Sequence, residues 1–86
     1  MWEHGTFIID DIEFIYDAKV FDKGSRFGIN NGRISKLSVW KGVSEELCSL
    51  DNLIINYDRD WDIRPRPCDK LDRRALEYIL NLYPIV

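Results

Sequence analysis

Phe7-Ile8-Ile9-Asp10-Asp11-Ile12-Glu13-Phe14-Ile15-Tyr16-Asp17-Ala18-Lys19-Val20 is the stretch on which the fold turns. Ile12, Phe14, Tyr16, Ala18 and Val20 alternate with Glu13, Ile15, Asp17 and Lys19, the period of two that gives a strand one buried face. With Asp10-Asp11 as a two-residue turn, Ile9 falls opposite Ile12 and Phe7 opposite Phe14, and both join the face that carries Tyr16. Residues 2–20 therefore read as a β-hairpin. Thr6, Ile8 and Ile15 go to its other face, which is not wholly polar.

Beyond the hairpin, Asp22-Lys23-Gly24-Ser25 is a turn cluster and Phe27-Gly28-Ile29 a short extended piece. In Asn30-Asn31-Gly32 the Asn-Gly pair readily takes the positive φ angles of a type I′ turn, so a strand should leave from Arg33. Along that strand Leu37 and Val39 share one face while Ile34 and Trp40 share the other. Lys36 and Ser38 dilute the second face, which makes the first the expected core face. Leu53-Ile54-Ile55-Asn56-Tyr57 reads as a further strand that buries Leu53, Ile55 and Tyr57. Between them, Ser44 could cap one helical turn, although a long loop fits the Lys41–Asn52 segment equally well. Asp69 is a good N-cap, Asp72 suits the positive end of a helix, and Pro84 closes it. Leu71, Ala75, Tyr78, Ile79 and Leu82 fall on one face at helical spacing. The expectation is one small α+β domain over residues 1–86: an antiparallel sheet of about four strands with a C-terminal helix packed on it. The strands fall near 2–9, 12–21, 33–41 and 53–58 and the helix near 69–82.

The chain has 86 residues, of which 45% are hydrophobic and 13% aromatic, enough for one core and too apolar for intrinsic disorder. A chain of this size buries only about 60% of its unfolded surface, so a dimer that covers an exposed apolar face is physically reasonable. The formal charge is −3, from 12 basic and 15 acidic residues, a field that does not attract a phosphate backbone. Glu3, Asp10, Asp11, Glu13 and Asp17 crowd the first 17 residues, which hold no Lys or Arg. Residues 58–74 carry six basic residues against five acidic ones. Mutual pairing across the fold is the plain reading, and an acidic face docking on a basic partner surface is the sharper one. Cys48 and Cys68 form no Cys-x-x-Cys pair and read as two thiols of a reduced protein. No apolar run approaches the ~18 residues of a membrane span, and the acidic start lacks a basic n-region. A cytoplasmic protein without a membrane partner is expected.

The densest chemistry is Asn56-Tyr57-Asp58-Arg59-Asp60-Trp61-Asp62-Ile63-Arg64-Pro65-Arg66-Pro67, and it matches no catalytic signature. His4 is the only histidine; in the hairpin register it lies across from Asp17 on the outer face, where an ordinary surface residue is the better reading than a base. Two Cys and one His, scattered, do not make a zinc site. Asp58, Asp60 and Asp62 have the every-other spacing that opens a calcium loop, but Ile63 stands at the glycine position and Asp69 at the glutamate position. Gly24, Gly28 and Gly32 precede a strand and lack a Gly-Lys-Ser/Thr ending, so they are turn chemistry. No enzyme, metal or cofactor is expected. Arg59, Trp61, Arg64 and Arg66 mix basic and aromatic character as single-strand grooves do, yet the interspersed aspartates repel phosphates, so nucleic acid is not the expected partner. In the structural reading Tyr57 and Trp61 pack into the core and the arginines bridge to the N-terminal acids. In the functional reading Arg59, Trp61, Asp62 and Arg64 are a binding surface, since Trp and Arg are frequent interface anchors.

Three segments, Ala18–Asp22, Phe27–Leu37 and Asn56–Asp62, resemble a family of small uncharacterised proteins associated with phages and mobile elements of Gram-positive bacteria. The resemblance covers the middle and later thirds of the chain. In that family a glycine often stands where this chain has Asp60, and the link before the fourth strand is shorter, which marks Gly42–Asn52 as the most individual segment. No activity comes with the resemblance. It implies a setting in which small acidic proteins inhibit host or defence proteins, or act as sponges for signalling nucleotides. The reading taken is a non-enzymatic module acting by protein–protein interaction, an antagonist of a bacterial defence protein, with homo-oligomerisation allowed. The alternative is a nucleotide-binding protein using Arg59 and Arg64 for phosphate and Trp61 for the base.

Overall fold

The structure, a computed structural model, describes residues 1–42, 52–65 and 69–84. Its elements in chain order are β1 (Trp2–Ile9), β2 (Ile12–Val20), β3 (Ile34–Lys41), β4 (Leu53–Asp58), β5 (Trp61–Ile63) and α1 (Lys70–Leu82). The strands form one antiparallel sheet in the order β1-β2-β3-β4-β5, each beside its neighbour in sequence, and α1 packs on one face. The fold is α+β as expected, with five strands rather than about four. The extra strand, β5, forms because the chain reverses at Asp58–Asp60, pairing Tyr57 with Trp61 and Asn56 with Ile63. Three residues carry no readable period, and Pro65 follows close behind.

The first hairpin has the register the alternation dictates: Ile9 opposite Ile12, Phe7 opposite Phe14, His4 opposite Asp17. Asp10 and Asp11 both take left-handed backbone, φ 52° and 66°, as a two-residue type I′ turn requires. Phe7 stacks on Phe14 at 5.1 Å between ring centroids. Gly5 lies opposite Tyr16, and a Cβ there would stand 2.9 Å from the Tyr16 ring. The glycine lets that ring lie across β1, and the Tyr16 hydroxyl then hydrogen-bonds to that of Tyr83 at 3.0 Å.

Two bulges reassign residues that strict alternation misplaces. The β2–β3 register passes from Lys19–Lys36 to Val20–Ile34, leaving Ser35 as the extra residue. Ile34, expected on the outer face with Trp40, is thereby turned into the core opposite Val20. The β3–β4 register passes from Val39–Ile55 to Trp40–Leu53, leaving Ile54 unmatched. Ile54 packs against the core, whereas Leu53, expected to be buried, is only half-buried beside Trp40. Tyr57 and Ile55 are buried as the pattern requires.

The left-handed pair after the irregular stretch is Asn30–Asn31, one residue earlier than Asn-Gly chemistry suggests, and Gly32 has φ −91°. Asparagine tolerates this backbone. What needs a glycine here is Gly28, whose Cβ would lie 1.9 Å from the Gly32 carbonyl oxygen. The tight loop plugs Ile29 into the core and delays β3 to Ile34.

Asp69 caps α1, its carboxylate accepting from the backbone N–H groups of Leu71 at 2.9 Å and Asp72 at 3.2 Å. The buried stripe is Asp72, Ala75 and Ile79, flanked by Leu71, Leu76 and Leu80. Tyr78 and Leu82, expected on that face, are 41% and 44% exposed. The helix is rotated so that Tyr78 lies at the margin, flat on Phe7 at 4.4 Å, over the edge strand β1. Cys48, Cys68, Arg66 and the Ser44 turn lie outside the described residues. No helix among the described residues is long and apolar enough to cross a membrane.

Candidate functional site

The far end of the sheet gathers the sequence-expected site. Strands β4 and β5 are joined by Asp58–Arg59–Asp60, with the Asp58 N–H bonded to the Asp60 carbonyl at 2.9 Å. Arg59 takes left-handed backbone, φ 61°, and donates its N–H to the Ser35 carbonyl at 3.0 Å, so the tip is tied down on the bulge of β3. Trp61 is half-buried and meets Tyr57 edge-on at 5.0 Å. The Arg64 guanidinium covers the indole at 5.6 Å, a cation–π contact. Asp62 is joined through Asn56 to the outer face of the sheet: Ser38 donates to the Asn56 amide oxygen at 3.1 Å, and the Asn56 amide N–H reaches Asp62 at 3.4 Å.

Arg59, Trp61, Asp62 and Arg64 are thus brought to one hairpin. Arg64 and Trp61 belong together; Arg59 points into a separate cleft. Among the described residues the bridge from the basic segment to the N-terminal acids is made from α1, not from this hairpin. Asp10 instead pairs with Arg74 of α1 at 2.5 Å, Asp17 pairs with His4, and Arg59 stands 3.8 Å from its neighbour Asp58. Strand alternation also splits the acidic N-terminus, since Glu13 and Asp17 share the outer face while Glu3 pairs with Ala18 on the helix side. Tyr57 donates to the Phe27 carbonyl at 2.7 Å, and its phenol is held above its ordinary pKa by burial first and by the negative charge of Asp60 second. Tyr83 is shifted upward as well, by burial and by its bond to Tyr16.

The cleft that receives Arg59 has a volume of about 250 Å³ and is also lined by Lys19 and Lys36. Phe21 and Phe27 form its apolar part, with Ser25 and the 5%-exposed Ser35. Lys19 and Lys36 are direct cross-strand partners, two like charges side by side. Lys36 lies 3.7 Å from Asp58, and the Lys19 ammonium sits 5.6 Å over Phe21. In the sequence Lys19, Lys36, Phe21 and Phe27 carry no motif that sets them apart. The signal was there only in combination: two lysines at outward positions of two strands become meaningful once the β2–β3 register is known.

Two other constellations have partners within the sheet. His4 bonds to Asp17, which lies between it and Ser38 across the sheet, and the Ser38 hydroxyl donates to Asn56. Asp58 faces Lys36 and Arg59, Asp60 accepts from the Trp61 N–H at 2.8 Å, and Asp62 takes the Asn56 amide. Among the described residues no group of three or more His, Cys, Asp or Glu side chains is placed to hold a metal ion.

Neither the curated proteins nor the solved structures contain a match to this chain. A family profile does match it, over residues 1–84, nearly the whole of the sheet and helix just described. The chain therefore belongs to the family described as a domain of unknown function (DUF7678).

Proposed function

We propose that this protein is a non-enzymatic binding module that acts by docking on another protein through the β4–β5 hairpin. The observation that carries the reading is Trp61: a half-buried indole braced by Tyr57 on one side and covered by Arg64 on the other, on a three-residue strand at the sheet's edge. Such an anchor is held before the partner arrives, so little side-chain entropy remains to be lost on binding. Asp62, steadied through Asn56, supplies a charged rim beside it. In the setting implied by the resemblance to phage and mobile-element proteins, the partner is a bacterial defence protein met in the cytoplasm and antagonised by this contact.

The test is photo-cross-linking in bacterial lysate, with the cross-linking residue placed at Ile63 beside the anchor or at Glu77 on the exposed side of α1. A discrete adduct at position 63, absent at 77 and lost on Arg64→Ala, is the expected outcome. No adduct, the same adducts at both positions, or an adduct indifferent to Arg64→Ala would sink the proposal.

A further inference from the structure

We propose that the cleft between the β2–β3 ladder and the β4–β5 turn binds a small phosphate monoester carrying one planar ring, with Lys19, Lys36 and Arg59 on the phosphate and Phe21 and Phe27 against the ring. This goes beyond the docking reading and does not depend on it. Three departures from local rules meet at this one place. Lys19 and Lys36 face one another directly across the ladder, where opposite charges would be the stabilising choice. Arg59 occupies left-handed backbone that glycine or asparagine would adopt more easily. Ser35 is a bulge residue, and bulges re-aim the side chains around them; here the bulge carbonyl fixes the Arg59 N–H. An anion between the three cations turns the repulsion into attraction.

Charge and size choose the ligand class. Asp58 is the carboxylate beside these cations, at 3.7 Å from Lys36 and 3.8 Å from Arg59, both loose pairings at the exposed surface. Lys19, Lys36 and Arg59 outnumber Asp58, and the Arg26 guanidinium adds a further positive charge 4.8 Å over the Phe27 ring, so the cleft favours an anion such as a phosphate monoester dianion. The acidic remainder of the chain is screened over about 10 Å at 0.1 M salt, so the nearby cations dominate the field within the cleft. Phe21 and Phe27 remain 45% and 46% exposed even with Lys19 over the first ring and Arg26 over the second, and a planar ring would cover apolar surface that bare phosphate leaves in water. The volume of about 250 Å³ suits a single-ring ester; pockets for larger drug-sized ligands run to roughly 300–1,000 Å³.

Uridine 5′-monophosphate, uridine and inorganic phosphate, titrated into the isotope-labelled full chain at low salt and followed by amide NMR shifts, test the proposal. The monophosphate is expected to move the amides of Lys19, Phe21, Lys36 and Arg59 in a saturable way. Phosphate should move the same set about tenfold more weakly, and uridine should move none of them. Lys19→Ala and Lys36→Ala should each weaken the monophosphate about tenfold with the spectrum still dispersed, and Arg73→Ala on the helix should leave it unchanged. Arg59→Gly keeps the fold, because glycine suits that backbone, and should lose affinity to a similar degree. Equal affinity for uridine or for phosphate overturns the ligand class. Shifts that map elsewhere, or none that saturate by about 10 mM, overturn the site.

Discussion

Arg59 carries the sharpest conflict between a residue and its backbone. Its φ of 61° costs an ordinary side chain about 1–2 kcal/mol, against about 0.5–1 kcal/mol for the greater freedom a glycine loses on folding. Arg59→Gly is therefore expected to raise stability by about 0.5 kcal/mol or more while it removes a cation from the cleft, so that folding and binding move in opposite directions. Urea unfolding measures the first part, and a variant no more stable than the parent would mean that the turn holds no strain. The same backbone at Asp10 and Asp11 carries a different meaning, because a two-residue hairpin turn demands it and aspartate accepts it.

Among the elements, the glycines separate two kinds of close approach. At Gly5 an added methyl meets the ring of Tyr16, the movable end of a side chain, at 2.9 Å. At Gly28 it meets backbone, the Gly32 carbonyl oxygen, at 1.9 Å, and neither partner can swing aside. Gly5→Ala is expected to cost about 1 kcal/mol as Tyr16 shifts away from Tyr83, and Gly28→Ala about 3 kcal/mol or more, with the Ile29 plug drawn from the core. Thermal or urea unfolding of the two variants gives the order; the reverse order would show that the Asn30–Asn31 loop is not the rigid part. The loop earns this rigidity from Tyr57 as well, whose hydroxyl holds the Phe27 carbonyl at 2.7 Å and so couples β4 to the aromatic wall of the cleft.

At the scale of the whole molecule, stability should fall in alkali. Burial holds the Tyr57 phenol above its ordinary value of 10.0, and Tyr83 is raised too. The unfolded chain then gives up these protons first. The contribution is complete below pH 10 and is lost as pH climbs through the raised folded values. Urea midpoints measured from pH 8 to 11 should decline above pH 10, and Tyr57→Phe should flatten part of that decline while costing about 1 kcal/mol at neutral pH for the lost hydrogen bond. A flat profile in the parent would contradict the buried placement of both phenols. The sequence by itself determined the first hairpin, its register and its turn, because strict alternation across a two-residue link leaves one pairing that buries all of Phe7, Ile9, Phe14 and Tyr16 together. It determined the helix and its Asp69 cap for the same reason, a local period with a local stop. Only the tertiary structure decided the places where alternation breaks. The bulges at Ser35 and Ile54 exchange Ile34 for Leu53 in the core, since one extra residue in a strand flips every side chain beyond it and leaves no mark in composition. It also decided the cleft, whose three cations come from β2, β3 and the β4–β5 turn. They are distant in the chain and become neighbours only when the register sets Lys19 against Lys36 and the Ser35 carbonyl holds Arg59 above them.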